Sequence, residues 1–358
     1  MRIVITGASG NVGTALLRTF SASAGDLHLT GIVRRPPDPT GVYRHVKWHS
    51  LDLADQDAAA RLRPLFDGAD AVVHLAWGFQ PTRNTEYLTR VGVGGTAAVL
   101  AAAQAAQVGQ LVHMSSVGVY AAGRYGRRVD ESWSTASIAT SAYSRDKSAA
   151  ESLLDVYERD HGEAGVPIAR MRPGFIVQRT AASGLMRYAL PDYVPMLAVP
   201  LLPVLPLDRR LCIPMVHSSD VAAALVRAIE HRARGPFNLA AEPPITRDSI
   251  AKVLRAKAFH VDSRILGRLV DLSWRARLQP IDRGWIDLAF SVPLLDSTRA
   301  HTELDWQPRW AATAALVDVI RGVGEHAHTD SPPLRRRSLV EQLYRDLFLG
   351  PITARHLP

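Results

Sequence analysis

A chain of 358 residues with 47% hydrophobic and 21% charged residues can bury a substantial core, which excludes wholesale disorder and fibrous architectures. Its one cysteine, Cys212, excludes an internal disulfide and would leave any zinc ion to other ligands. The formal charge of +8 rests almost wholly on arginine, with only Lys47, Lys147, Lys252 and Lys257 as lysines, and the arginines are scattered apart from Arg335-Arg336-Arg337. Such scatter offers no nucleic-acid face, although a basic balance favours phosphorylated ligands. The opening apolar run stops at Thr6-Gly7, and no stretch reaches the roughly 18 apolar residues of a membrane span, so we expect a cytoplasmic protein.

Apolar strand-like runs alternate with helical patterns through the first half, which predicts a parallel sheet covered by helices. Arg2 to Thr6 reads as a strand, Gly13 to about Ala24 as a helix, Leu29 to Val33 as a second strand and Val46 to Trp48 as a third. Ala71 to Leu75 is the fourth strand, Thr96 to about Ala106 a helix, Gln110 to Met114 the fifth strand, Ala142 to Arg159 a helix and Val166 to Arg172 the sixth strand. This is the α/β, doubly wound (Rossmann) pattern, whose ligands sit at the carboxyl ends of the strands. Beyond Pro173, the apolar stretch Ala189 to Leu207 is broken by five prolines and reads as a buried loop layer or lid. Asp220 to Ala233 predicts a helix returning to the sheet, Phe237 to Leu239 a short strand and Asp248 to Lys257 a helix of a smaller C-terminal region. We therefore expect a dinucleotide-binding unit of residues 1–175 with about 215–240, and a substrate-binding region of about 176–214 and 241–328. Residues 329–358 read as a linker and an amphipathic helix, Leu339 to Leu349.

The strongest chemical signal is Thr6-Gly7-Ala8-Ser9-Gly10-Asn11-Val12-Gly13, set between the first strand and the first helix. Glycines there let the backbone turn tightly and approach a pyrophosphate, which amides at the helix N-terminus then hold. The second strand ends in Arg34-Arg35, where NAD-preferring sites of this kind commonly carry an acidic residue. Two guanidiniums can fork around a 2′-phosphate, so NADP is the expected cofactor, with NAD as the alternative should these arginines simply be solvated. Asp52-Leu53, after the third strand, is placed to meet the adenine edge or to make a turn.

Tyr143 and Lys147 stand four apart in a helical pattern, so the phenol and ammonium share one face. A nearby cation would bring the phenol, ordinarily at about 10, toward the working range and make it a proton donor or acceptor. Tyr43 and Lys47 have the same spacing but neither helix nor partner serine; Tyr143 has Ser116 upstream at the exit of the fifth strand.

At this point the chain resembles the extended short-chain dehydrogenase/reductases of the NAD(P)-dependent epimerase/dehydratase group. The matching pieces are the glycine run, His74-Leu75-Ala76, Ser115-Ser116-Val117-Gly118-Val119-Tyr120, Tyr143 with Lys147, Arg172-Pro173 and Val216-His217-Ser218-Ser219-Asp220-Val221-Ala222. They run in family order over about Met1 to Trp310. The resemblance implies that Ser116 bonds the substrate oxygen, Tyr143 exchanges its proton, and Lys147 holds the nicotinamide ribose and lowers the phenol's pKa. It also implies that Gly7, Ser9, Gly10, Asn11, Val12 and Gly13 cradle the cofactor, that Leu75, Ala76 and Pro173 border it, and that Trp77 faces the substrate or the core. A homodimer follows from the family habit of pairing through the helix that bears Tyr143, and His217 and Asp220 are expected to be structural.

Two departures stand out. The family's Asn-Val-x-Gly-Thr reads Gly92-Val93-Gly94-Gly95-Thr96 here, and the arginines after the second strand differ from tightly NAD-bound sugar epimerases. The expected function is hydride transfer between a nicotinamide and the carbonyl or alcohol of a rather apolar small molecule. A nucleotide-sugar epimerase or dehydratase, kept in view by Arg187, Arg209 and Arg210, is the alternative, and a non-catalytic NADP sensor a third. No metal is expected, because no histidine shows ligand spacing with a carboxylate or cysteine partner.

Overall fold

The computed structural model describes residues 1–22, 25–79, 81–189, 203–279 and 281–336. Its first strands are β1 (Arg2–Thr6), β2 (His28–Val33), β3 (Val46–Ser50), β4 (Ala71–His74), β5 (Leu111–Met114) and the short β6 (Arg128–Val129). There follow β7 (Ile168–Pro173), β8 (Phe175–Val177), β9 (Val204–Pro206), β10 (Cys212–His217), β11 (Gly235–Leu239) and β12 (Ala241–Thr246).

Seven of these form one parallel sheet in the order β3-β2-β1-β4-β5-β7-β11. The chain runs outward from β1 to β3, then crosses back to lay β4 on the other side of β1. That reversal opens a crevice beyond the carboxyl ends of β1 and β4, where a doubly wound sheet holds its ligand. Strands covered on both faces need unbroken apolar runs rather than alternation, and Ile3, Val4 and Ile5 are all fully buried. On one face Leu16 and Leu17 of the helix Asn11–Ser21 and Leu225 of the helix Ser218–Glu230 close the core. On the other, Leu62 and Phe66, Val99 and Leu154 do so from the helices Ala58–Phe66, Gly95–Ala105 and Ala142–His161.

The predicted elements of the first half are present, with ends shifted by a few residues. The first helix starts two residues earlier than expected, and the sixth predicted strand runs Ile168–Pro173 rather than Val166–Arg172. The helix Ala58–Phe66 was not predicted, because Pro64 interrupts a short pattern whose buried side is only Ala58, Leu62 and Phe66. Past β7, a second sheet of order β12-β10-β8 packs against the helix Ala312–Gly324 through Ile245, Met215, Leu316 and Val319. The predicted helix Asp248–Lys257 ends at Leu254, and Lys257–Phe259 pairs instead with β9. Of the proline-broken stretch, residues 190–202 lie outside the described residues, as does the amphipathic segment Leu339–Leu349.

Residues 329–336 do not behave as a linker. Tyr43 Oη donates to Thr329 Oγ1 at 3.0 Å and lies 2.9 Å from Thr14 Oγ1, while Ser331 and Leu334 are buried. The polar composition that suggested a linker supplies the hydrogen bonds that dock this segment beside the glycine turn. No helix of the described residues is long and apolar enough to cross a membrane.

Candidate active site

The turn after β1 forms one wall of the crevice. Gly7 has φ +72°, and a Cβ there would stand 2.7 Å from Ala76 N, so only glycine lets the turn lie against the segment leaving β4. Gly7 N–H donates to Ile32 O at 2.8 Å and Gly10 N–H to Gly7 O at 3.0 Å, which ties the turn to β2. Gly10 begins the helix Asn11–Ser21 with no side-chain cap, leaving its first amides available to an anion. A narrow turn, close backbone approach and an uncapped helix start together fit a dinucleotide pyrophosphate.

Of the expected cofactor residues, Gly7, Ser9, Gly10, Arg34, Arg35, Asp52, Leu53, Leu75 and Ala76 line this crevice, with Trp77 beside them. Asn11, Val12, Gly13, Tyr143, Lys147 and Pro173 do not. The Asn11 side chain is turned to the opposite side, donating to Ile176 O at 3.2 Å and accepting from Gln178 Nε2 at 2.8 Å and Ser218 Oγ at 2.7 Å. It thereby fastens the first helix to β8. Val12 is buried in the core, Gly13 leaves room for Ala8 O, which a Cβ would approach to 2.4 Å, and Pro173 is a buried end of β7.

At the far end of the crevice Arg34 Nη1 donates to Tyr87 Oη at 3.0 Å, and that phenol donates to Asp52 Oδ2 at 2.6 Å. Asp52 Oδ1 accepts from Ala54 N–H at 3.0 Å, so the carboxylate both makes a turn and faces the crevice. Burial lowers the pKa of Arg35, helped by the charges of Arg34 and Arg335. Pro332 and Pro333 complete this wall. Tyr87 and the two prolines were not anticipated: nothing in the local pattern marks Tyr87, and the prolines arrive from a segment read as a linker.

Ser116 and Tyr143 come together at the carboxyl end of β5. Ser116 Oγ accepts from Gly118 N–H at 3.0 Å, and a Cβ on Gly118 would stand 3.4 Å from that oxygen and 2.9 Å from Tyr143 Cε1, so the serine and the phenol ring are close neighbours. Neighbouring Ser115 instead donates to buried Glu151, which separates the roles of the two serines. The helix Ala142–His161 is capped by Ser141 Oγ, which accepts from Ser144 N–H at 3.3 Å, so Tyr143 stands in its first turn.

Lys147 sits one turn further along with a different setting from the one expected. Its Nζ donates to Met114 O at 2.8 Å and lies 3.4 Å from the centre of the Trp77 ring. Burial pushes the ammonium well below its ordinary pKa against the pull of Glu151. The Tyr143 phenol is pushed up to about 12 by burial, with only the Ser116 hydrogen bond acting downward. Desolvation, rather than the charge of Lys147, governs the phenol here and keeps it protonated in the neutral range.

The cavity beside Tyr143 has aromatic walls. Trp285 stacks on Tyr143 with centroids 5.6 Å apart, Phe79 meets it edge-on at 5.1 Å, and Trp77 does so at 6.4 Å. Among the described residues, the charged members of this cavity's lining are Asp146 and Asp282. Arg209 and Arg210 lie elsewhere, in a small polar cleft where Arg210 pairs with buried Asp208 at 2.9 Å, and the Arg187 side chain is outside the described residues. His217 and Asp220 have structural partners: His217 stacks on Trp310, and Asp220 accepts from Arg309 and Trp310 N–H groups at 3.0 and 3.1 Å.

With this geometry in hand, comparison with known proteins is direct. Residues 3–240 match the model of the NAD dependent epimerase/dehydratase family. The chain belongs to that family. It is 38% identical over 119 residues to the L-arabinose 1-dehydrogenase (NAD(P)(+)) of Haloferax volcanii, a match covering 33% of this chain and 42% of the relative. A second match, to a hybrid PKS-NRPS synthetase of Penicillium oxalicum, is 27% identical over 202 residues and covers 53% of this chain and 5% of that protein. The chain thus spans less than half the length of these curated relatives.

Among solved structures, that of gox2253 superposes with a TM-score of 0.69 at 22% identity, covering 91% of this chain and 99% of the other. The UDP-glucuronic acid 4-epimerase of Bacillus cereus, in complex with UDP-glucuronic acid and NAD, gives 0.65 at 19%, covering 91% and 100%. The dTDP-glucose 4,6-dehydratase of Streptomyces venezuelae, with NAD and TYD bound, gives 0.66 at 19%, covering 91% and 97%. At these identities the likeness establishes the Rossmann-type fold common to the family.

Proposed function

We propose that this protein is an NADP-preferring oxidoreductase that interconverts a carbonyl and an alcohol in an apolar small molecule, with Tyr143 as the general acid and base. The observation that carries the reading is that Tyr143, with Ser116 beside its ring, lines a cavity walled by Trp77 and Trp285, adjacent to the glycine-turn crevice. A dinucleotide bound there supplies a hydride at nicotinamide C4. Ser116 Oγ bonds the substrate oxygen and orients it. Tyr143 Oη gives that oxygen its proton on reduction and takes it back on oxidation. Lys147 turns its ammonium toward the nicotinamide ribose, and the rings of Trp77, Phe79 and Trp285 exclude water from the reacting carbon.

The indole walls of that cavity, Trp77 and Trp285, favour an apolar substrate over a nucleotide sugar, whose diphosphate needs cations. The assay that decides is incubation of the pure protein with NADPH or NADH and a panel of apolar ketones and aldehydes, alongside UDP- and dTDP-sugars. Net NADPH consumption with an apolar carbonyl is the expected result. Sugar turnover without net cofactor consumption overturns it.

The NADP preference rests on Arg34 and Arg35 in the crevice lining, with the charge of Arg335 close to Arg35. Replacing both Arg34 and Arg35 with serine should weaken NADPH binding roughly ten- to hundredfold, the worth of one or two charge-assisted hydrogen bonds to a 2′-phosphate. NADH affinity should change little. Equal losses for the two cofactors, measured by titration calorimetry, would remove the arginines from the recognition of that phosphate.

A further inference from the structure

Trp77 lines both the cofactor crevice and the Tyr143 cavity, and so stands between them. Its place depends on two neighbours. A Cβ on Gly92 would lie 2.9 Å from Trp77 Cη2 and Cζ2, so the missing side chain at this position makes room for the indole. Gly92 is also where the chain departs from the asparagine of the resembled pattern, which links that departure to a tryptophan fifteen residues earlier. On its other side the indole face covers Lys147 Nζ at 3.4 Å. That ammonium has three N–H donors, one of which goes to Met114 O, and it is buried.

We propose that Trp77 is a positioning residue that partitions the crevice from the Tyr143 cavity, its indole holding the Lys147 ammonium until the cofactor's nicotinamide ribose takes its place. The inference rests on the reading that the crevice holds a nicotinamide dinucleotide. Indole and ribose are alternative partners for one buried ammonium, so seating the nicotinamide half requires the ring to turn aside. The adenosine half, bound between the glycine turn and Arg34, requires no such movement. Binding therefore proceeds in two steps, and the second is a first-order reorientation within the protein.

Stopped-flow mixing with NADPH, followed through the nicotinamide's own fluorescence, tests this. For the unaltered protein the observed rate should level off as NADPH increases. In W77A it should rise linearly and exceed the former plateau by roughly tenfold or more, because the reorientation step is gone. G92A, whose new methyl crowds the indole, should raise the plateau, and W77F should keep one at a different height. Displacement of a fluorescent adenine-nucleotide probe by 2′,5′-ADP, which lacks the nicotinamide half, should be equally fast in the unaltered protein and W77A. A plateau unchanged in W77A, or a W77A effect as large with 2′,5′-ADP as with NADPH, overturns the partition. Failure of NADPH and NADH to bind either protein in equilibrium dialysis is a separate result: it overturns the cofactor reading, and the partition falls with it.

Discussion

Tyr143→Phe should reduce turnover by about a thousandfold while leaving NADPH affinity within about twofold, since the substitution removes one hydroxyl and general acid–base catalysis contributes roughly 10² to 10⁴. The aromatic packing on Trp285 and Phe79 is kept by phenylalanine, so the loss falls on kcat rather than on folding. The pH dependence follows from the same residue. Burial lifts the phenol to about 12, so it stays protonated through the neutral range. Reduction, which uses the acid form, should then hold level between about pH 6 and 9, whereas oxidation, which needs the phenolate, should climb with pH across that interval. Steady-state rates in both directions check this. Turnover that survives in the phenylalanine variant would remove Tyr143 from the proton path.

The second large effect is on stability. Glu151 is buried and takes hydrogen bonds from Ser115 and from Arg172 Nε at 2.9 Å, with Arg170 Nη1 at 3.5 Å. Arg172 also donates to Tyr120 Oη at 3.0 Å, and Tyr120 passes the chain on to Asn238 Oδ1 at 2.7 Å. Glu151→Ala leaves the buried Arg172 guanidinium without its carboxylate, while Arg170 keeps Asp155 and Glu158, and the loss costs about 3–5 kcal/mol. Thermal unfolding should fall by on the order of 5–10 °C. Burial pushes the Glu151 carboxyl up, but the hydrogen bonds and charge of Arg172 outweigh it and hold the group below its ordinary range. A depressed carboxylate contributes stability that is present above its unfolded value of about 4.3 and lost as pH falls through its folded value. The unaltered protein and Glu151→Gln should therefore differ at neutral pH and converge in acid, which denaturant titration across pH measures. An unchanged unfolding midpoint in both variants would show the network to be dispensable.

These outcomes bear on how much a reader of the sequence can see. The glycine turn and the strands around it were legible because each rests on local chemistry: apolar runs for buried strands, a left-handed φ at Gly7 and an uncapped helix start at Gly10. The shared helix of Tyr143 and Lys147 was legible from their spacing, and the place of Ser116 beyond the fifth strand from that strand's apolar run. Asn11 shows the limit. It lies inside the most recognisable motif, yet its side chain serves β8, more than 160 residues away. Trp285 and Tyr87 were invisible for the same reason, since only the tertiary arrangement carries them to Tyr143 and Arg34. Lys147 shows another limit: spacing locates a cation but does not say whether its charge or its desolvation governs the neighbouring phenol.

The docked segment around Pro332 and Pro333 has an implication for biosynthesis. Gly7 leaves the ribosome well before the prolines that border the same crevice, which are made more than 300 residues later. A nascent chain can pair its early strands as it emerges, yet the ledge beside Arg34 and Arg35 is missing until that distant stretch has been made. This end of the crevice is in this sense a late-maturing property, finished only when distant stretches of the polypeptide have met.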